Sequence, residues 1–571
     1  MRRRAHHGPL SVHAIAGSYV VLLGINMEEA STKGVLGFAI ERIDHSQNDR
    51  RDWLAGFKTF PGLNVPKGTL VSTHEHPIQS FQWCDFTTRK NHEYTYRVVA
   101  MRGTPGALTE GEEVSVKISM ENEDEGTHAV YFNRGVAGSQ AYARKFGNRR
   151  PDQVPNREAF RWLSRGLFKA MLDFIAQANS KKFGLRACVY EFQQGGVLKA
   201  FRKAVDAGAD VKIIFDDRQV VNQTNPDRSK VQPSMENREA IETFDLTDVM
   251  IPRQADPSAI SHNKFIILLE KGKPTQVWTG STNMTVGGIF GHSNVGHIIR
   301  DPKVAAKYLE YWEHLQTDPK MDRKAANDQI RPFNDEHTPV PEDKPPADKT
   351  IAIFSPRGSL TALEYYAELM DKAETAVFMT AAFGVTDVFE DVFKEDKDYL
   401  RYLLLEKEDN NMEALTRDLD NRVAVGDVLG KSAFEDWLRE RFQAERLSGL
   451  NRNVKFIHTK YALIDPLGND PIVITGSANF SDASTRRNDE NMLIIRGDTR
   501  VADIYLGEFM RLFNHFFFRF VTATAHNNGQ AHNGGHGTGK RPASELAPDD
   551  SWRKPYFQEG KVKQKERLYF A

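Results

Sequence analysis

His262-Asn263-Lys264, followed by Gly280-Ser281-Thr282-Asn283 and Ile298-Ile299-Arg300, decides the architecture because it occurs twice. It returns 196 residues later (458 − 262) as His458-Thr459-Lys460, Gly476-Ser477-Ala478-Asn479 and Ile494-Ile495-Arg496. One ungapped offset shared by three short motifs marks a duplicated structural unit. Each copy carries half of a phosphate-handling set, so two copies can close one site about a pseudo-two-fold axis.

The sequence around each copy alternates strands with helices. Phe160 to Ile175 has helical spacing, Leu185 to Tyr190 reads as a buried strand, Val197 to Phe201 opens a helix, and Val211 to Phe215 is a further strand. The second copy repeats this with a helix at Leu363 to Leu369 and a strand at Ala376 to Met379. Val454 to Ile457 is a strand leading into His458. Such alternation predicts α/β layers, with the two units packed sheet beside sheet and one cleft at their junction. Half 1 is expected over 157–335 and half 2 over 351–520, with a charged helical insertion near 387–447. Residues 336–350, rich in proline, are expected to be an extended linker. Residues 10–128 look all-β: Tyr94 to Val99 and Val114 to Met120 alternate with period two, and Gly103 to Gly106 supply a turn. That predicts an N-terminal β-sandwich-like domain, and Tyr94-Thr95-Tyr96-Arg97-Val98 resembles the tyrosine-bearing strand of a fibronectin type III sandwich. Residues 523–571 are expected to be a flexible tail. The Gly, Asn and His of 526–540 should be mobile, while Trp552, Tyr556, Phe557 and Leu568 to Phe570 could dock back on a domain.

Bulk properties narrow the classes. A chain of 571 residues exceeds one hydrophobic core. Net charge of −1 supplies no global field for polyanions, so binding of nucleic acid would need local basic clusters. Cys84 and Cys188 are too few for a disulfide framework and lack metal-ligand spacing, which fits a reducing, cytoplasmic setting. No apolar run approaches the roughly 18 residues of a membrane helix. The opening stretch to Ile25 reads as a first strand rather than a signal peptide, since His13, Ser18 and Tyr19 interrupt its apolar run.

In each copy the His and Lys, two apart on a strand, share one face. Pooled, the copies supply His262, His458, Lys264, Lys460, Ser281, Ser477, Asn283 and Asn479: donors and cations suited to a phosphoryl group whose charge builds on its equatorial oxygens. No carboxylate cluster stands beside them to hold Mg²⁺, so neither metal nor cofactor is expected. His292 and His297 flank Asn294 and read as one loop and one strand histidine rather than a metal pair. The run Arg144 to Arg150 reads as a solvated face, although it could grip phosphates. Arg486-Arg487 falls in the loop expected to border the site.

The pattern HxKxxxxD followed by GSxN, duplicated, resembles the phospholipase D superfamily over roughly residues 157–520. The second copy matches in full with His458, Lys460, Asp465, Gly476, Ser477 and Asn479, and Glu490 stands where that family places a carboxylate against the histidine. The first copy departs: Leu269 replaces the aspartate, and Asn294 occupies the place of Glu490. The resemblance implies a metal-independent phosphodiesterase that acts through a covalent phosphohistidine. The substrate expected first is a phospholipid, cleaved by hydrolysis or transferred to an alcohol. A nucleic-acid phosphodiesterase is the alternative, and an inactive phosphate-binding module the second. Two half-sites in one chain make a monomer sufficient, and peripheral membrane contact is compatible with the lipid reading.

The asymmetry between copies suggests roles. If Glu490 orients His458, that imidazole is favoured as the cation and serves as general acid and base. If Asn294 sits by His262, that ring stays near its ordinary pKa of about 6.5 and is the nucleophile. Lys264, Lys460, Asn283 and Asn479 would clamp the phosphate, with Ser281 and Ser477 as supporting donors. Asp465 is expected to be a turn or ion-pair partner, and Leu269 to be apolar filling of the same place.

Overall fold

The computed structural model describes residues 1–571 except 64, 67–68, 136–139, 148, 218–232, 255–258, 318–322, 383–385, 409–411, 418–419, 427–456, 531–541 and 543. Two mixed sheets carry the duplication. In half 1 the strand order is 124–125, 128–132, 295–299, 273–280, 264–270, 183–189, 210–216, 250–253. In half 2 it is 350–355, 490–496, 472–476, 461–464, 376–381, 400–405, 421–425. Apart from the short 124–125 edge, the sheets correspond strand for strand. Each has a parallel pair, 183–189 with 210–216 and 376–381 with 400–405, beside an antiparallel strand that follows the HxK.

Three expectations change. Strand 128–132 pairs with 295–299 and so joins the half-1 sheet, although it precedes residue 157. The stretch read as a helical insertion holds helices 387–394 and 412–417 but also strands 400–405 and 421–425. Leu400 to Leu405 is buried on both faces, Arg401 included, so the run carries no polar–apolar alternation to mark it as a strand. Residues 427–447 of that insertion, and the strand expected at Val454 to Phe456, lie outside the described residues. The end of the chain is docked rather than free. Helix 499–530 runs through the start of the expected tail, and helix 562–570 buries Phe570. Trp552 and Tyr556 join the apolar core of the N-terminal domain. Residues 531–540 of the low-complexity stretch lie outside the described residues.

Packing explains why two sheets make one body. Phe265, Ile267 and Val277 of half 1 share an apolar cluster with Phe378, Leu463 and Val473 of half 2. Helix 302–315 contributes Tyr308, Tyr311 and Trp312 to it, and helix 499–530 contributes Tyr505 and Phe509. The outer face of each sheet is covered separately, by helices 167–176 and 195–206 in half 1 and by helix 361–371 in half 2. Residues 338–349 connect helix 323–337 to strand 350–355 without regular structure, as the prolines require. The N-terminal domain consists of two four-stranded antiparallel sheets, 2–7, 10–16, 21–27, 82–85 and 107–119, 93–104, 37–44, 50–53. Their inner residues form one cluster, including Leu23, Phe38 and Tyr96. Buried Arg165–Glu508 at 2.7 Å and Arg2–Asp503 at 2.8 Å are among the ion pairs that reach helix 499–530. Among the described residues no helix is long and apolar enough to cross a membrane.

Candidate active site

Each HxK lies where the chain enters a central strand, 264–270 or 461–464, at the junction of the halves. Two isolated bridges stitch that junction, Ser261 to Asp489 and Ser293 to Ile457. They are copies of one another under the 196-residue shift, so the pseudo-two-fold axis runs between them. Arg253 and Asp489, both buried, reinforce it across the halves at 2.6 and 3.0 Å.

The glycines of the GSxN turns are dictated by close approach. A Cβ on Gly280 would sit 2.3 Å from the Val295 carbonyl oxygen, and one on Gly476 2.2 Å from that of Asn491. This contact brings each serine onto the residue 13 positions later. Ser281 Oγ donates to Asn294 Oδ1 and Ser477 Oγ to Glu490 Oε2, both at 2.8 Å.

From there the connections cross. His262 Nδ1–H donates to Glu490 Oε2 at 2.8 Å, and His458 Nδ1–H donates to Asn294 Oδ1 at 2.9 Å. Each histidine is thus oriented by the other half. This corrects the expected pairing of Glu490 with His458 and of Asn294 with His262. The motif spacing sets register within a half, but the pseudo-symmetry axis passes between each histidine and the group on its own half. Both acceptors hold the Nδ1 proton, which leaves Nε2 as the free ring nitrogen in each case. The ring centres are 6.4 Å apart, room for one phosphoryl group between them.

Burial and charge set the protonation. Burial, with Lys264 and Lys460 adding to it, pushes His262 down to about 4 against the opposing Glu490. His458 is driven well below 6.5 by burial, then by Lys460, His292, Lys264 and His262, with no carboxylate among these neighbours. Burial also lowers Lys264 to about 8, against Glu490 and Glu191, and holds Lys460 well below its usual value. Burial would raise Glu490, but the charge and hydrogen bond of His262, with Lys264 and Ser477, outweigh it and keep its carboxyl below the ordinary value. Ser484 Oγ donates to its other oxygen at 3.0 Å. The lysines fold back to the histidines: Lys264 Nζ donates to the His262 carbonyl, and Lys460 Nζ to that of His458 at 2.7 Å.

Asn283 Nδ2 donates to Glu191, so its amide donor is already engaged, unlike the clamp expected of it. Glu191 was not singled out by the sequence. It stands two residues beyond the end of strand 183–189, and burial raises its pKa against the pull of Lys264 and Asn283. Its neighbour Tyr190 is also in the site, with its ring 5.0 Å from that of His262 and Lys264 Nζ 5.3 Å above it. Position at the end of a central strand was the available signal, but no motif marks it. His292 lies beside His458, ring centres 5.7 Å apart, whereas His297 turns away to His128 and Tyr505, so the two are not a metal pair. Among the described residues no group of three or more His, Cys, Asp or Glu side chains is arranged to hold a metal ion.

The motif aspartate is a turn partner. Asp465 accepts hydrogen bonds from the backbone N–H groups of Glu374, Thr375 and Ala376 at 2.7–3.0 Å, and so pins the start of strand 376–381. Leu269, its counterpart, is buried in the apolar cluster shared by the halves and pairs with Gly184 at the equivalent strand. Apolar packing replaces the hydrogen bonds there. In the basic run, Lys145 pairs with Glu158 and Arg150 with Asp152 on the exposed surface.

The family model described as "Cardiolipin synthase, PLD-like domain" matches residues 171–316 and 399–513, one block in each half. The chain belongs to the phospholipase D superfamily. Both blocks of this superfamily match contain a GSxN turn and the strand before it. Solved structures similar to the chain include phosphatidylserine synthase of Haemophilus influenzae Rd KW20, at 11% identity over 64% of this chain and 92% of that one, with a TM-score of 0.41. Nuc of Salmonella typhimurium, a phospholipase D family member, is 25% identical over 26% of this chain and 87% of its own, with a TM-score of 0.21. Polyphosphate kinase of Porphyromonas gingivalis is 10% identical over 57% of this chain, with a TM-score of 0.37, and the chain spans 46% of its length. No curated protein sequence matches the chain.

Proposed function

We propose that this chain is a metal-independent phosphodiesterase that works through a covalent phosphohistidine, with a phospholipid as substrate. The observation that carries the reading is the pair of crossed relays, Ser477–Glu490–His262 and Ser281–Asn294–His458, which aim two imidazoles from opposite halves into one gap.

His262 remains the nucleophile, but for a reason opposite to the one read from the sequence. When Nε2 attacks phosphorus, positive charge grows on the ring. Glu490 at Nδ1 stabilises that charge and holds the tautomer, as an interaction that strengthens toward the transition state. His458 is held by a neutral amide, and the groups that chiefly shift it are cations and imidazoles rather than carboxylates, so little retains its proton. Once a phosphodiester anion has drawn a proton onto it, it is a strong acid toward the leaving oxygen. The P–O bond to the leaving group breaks as the P–N bond forms, and His458 supplies the proton. In the second step neutral His458 takes a proton from water, whose oxygen attacks phosphorus and releases His262. Lys264 and Lys460 with Asn479 hold the non-bridging oxygens, and Asn283 contributes once Glu191 lets its amide go. Splitting one displacement into two lowers each barrier.

The lipid preference draws support from two exposed apolar side chains on half-1 segments that adjoin site residues. Met235 opens helix 233–243, whose Asn237 bonds the backbone around Tyr190, and Val286 follows the first GSxN turn. The decisive experiment compares turnover of phosphatidylcholine and labelled single-stranded DNA in excess EDTA, with His458→Ala as control. Lipid cleavage lost in the variant is expected. Cleavage of DNA alone would replace the lipid by a nucleic acid, and cleavage of neither would leave a phosphate-binding module.

A further inference from the structure

Four arginines, Arg331, Arg357, Arg486 and Arg487, line with Gly358 a cleft of about 130 Å³. Strand register ties it to the reactive end of the half-2 sheet. Ser355 pairs with Glu490, and Arg357 lies two residues beyond Ser355. Arg487 lies three residues before Glu490 (490 − 487), in the loop that returns from the Gly476–Asn479 turn. The same loop holds Glu490 through Ser484 at 3.0 Å and Asn488 at 3.5 Å. The cleft walls are joined by backbone: Arg357 N donates to the Thr485 carbonyl at 2.8 Å, and Arg331 Nε to the Arg486 carbonyl at 3.1 Å.

The charge is incompletely balanced. Arg357 is buried, with one nitrogen on the carbonyls of Thr338, Asn334 and Phe354 and Nε 3.2 Å from Asp335. Arg486 is 3.4 Å from Asp482, and Arg331 is 3.8 Å from Asp328. All three acids are solvent-exposed, where such pairs contribute little. Among the described residues, four guanidinium groups stand against three carboxylates, which leaves an excess of positive charge, and Arg486 and Arg487 are exposed.

We propose that this cleft binds a phosphate group carried by the substrate next to the scissile diester. The planar guanidinium fork matches phosphate oxygens in a bidentate manner. The volume is below the roughly 300–1,000 Å³ of drug-sized pockets and suits one tetrahedral oxyanion. The clause about the substrate rests on the phosphodiesterase reading; the anion site itself does not. Within the lipid reading, the ligand is a second phosphate on the headgroup, and free inorganic phosphate presents the same chemistry.

Two arms test this on the full chain. Inorganic phosphate is titrated calorimetrically into wild type and an Arg486→Ala/Arg487→Ala variant, with thermal unfolding as a check of the fold. Two sites in wild type and one in the variant are expected; equal stoichiometry and affinity in both would overturn the site. In the second arm both proteins are assayed on phosphatidylcholine and on a phospholipid bearing a second headgroup phosphate. Loss of charged hydrogen bonds should cost the variant about 10–100-fold in kcat/KM on the second lipid only. Equal loss on both lipids, or none, would overturn the substrate assignment. Two phosphate sites without turnover of either lipid would leave the anion site standing and refute the phosphodiesterase reading. If the double substitution unfolds the protein, Arg487→Gln alone serves in both arms.

Discussion

His262 and Glu490 belong to different halves of the duplication, yet one hydrogen bond of 2.8 Å joins them. Neither half therefore orients its own histidine, because the Nδ1 acceptor of each is delivered by the other half. Duplication of a unit with one HxK and one acceptor 32 residues later (294 − 262) gives two crossed pairs at once. Divergence of a single acceptor, Glu490 against Asn294, then makes the two histidines unequal.

Glu490→Gln keeps the shape and removes the charge that faces His262. We expect kcat to fall about 10²–10³-fold with KM little changed, since Glu490 stabilises charge that develops during attack. Mapping of a phosphoenzyme trapped with slow substrate, carried out under alkaline conditions where the P–N bond survives, should place the phosphate on His262. Phosphate on His458 would reverse the roles.

The buried histidines make the fold sensitive to acid. His13 and His128, like His262, are buried and lowered from 6.5 to about 4 by burial first, with Arg4 adding at His13 and Arg500 at His128, against Asp498 and Asp301 at the latter. In the unfolded chain each takes up a proton near 6.5; in the native protein each resists until about 4. The native state therefore binds fewer protons in that window, and stability is complete above 6.5 and falls as the pH drops toward 4. Each such group contributes a slope of about 1.4 kcal/mol per pH unit. Denaturant midpoints measured at several pH values should fall steeply on the acid side, and a flat profile there would refute the burial argument.

Leu269→Asp tests whether the departure from the motif is packing or decay. Asp465 works because backbone N–H groups of residues 374–376 converge on it. Leu269 sits instead in the apolar cluster between the halves. Restoring the family residue should thus lower stability by about 2–5 kcal/mol, the range for loss of a buried leucine, and should not raise kcat. A gain in activity at unchanged melting temperature would mean that the first half-site is impaired in the natural chain.

How much of this was written in the sequence depends on whether the determinant is local. The 196-residue offset exposed the duplicated sheets, and the GSxN glycines carry their own steric reason. The crossing was not legible, because Glu490 is 32 residues from His458 and 228 from His262 in the chain (490 − 262), and only the packed halves decide between them. Strand 400–405 was missed because a strand buried on both faces loses its alternation. Glu191 was missed because it belongs to neither repeated motif, although a carboxylate ending a central strand is where such sheets place reactive groups.

Glu191 changes what the site can hold. Its carboxylate accepts from Asn283 and lies in the field of Lys264 and Lys460. A diester brings one negative charge into that field, whereas a phosphate monoester brings about 1.5 to 2. Glu191 should repel the second more strongly, and so favour diester binding over retention of a monoester product. Glu191→Gln is therefore expected to tighten inhibition by inorganic phosphate about ten-fold while changing KM for the diester less, which steady-state inhibition assays would read directly. An unchanged inhibition constant would mean that Glu191 only orients Asn283, and its substitution would then appear in kcat alone.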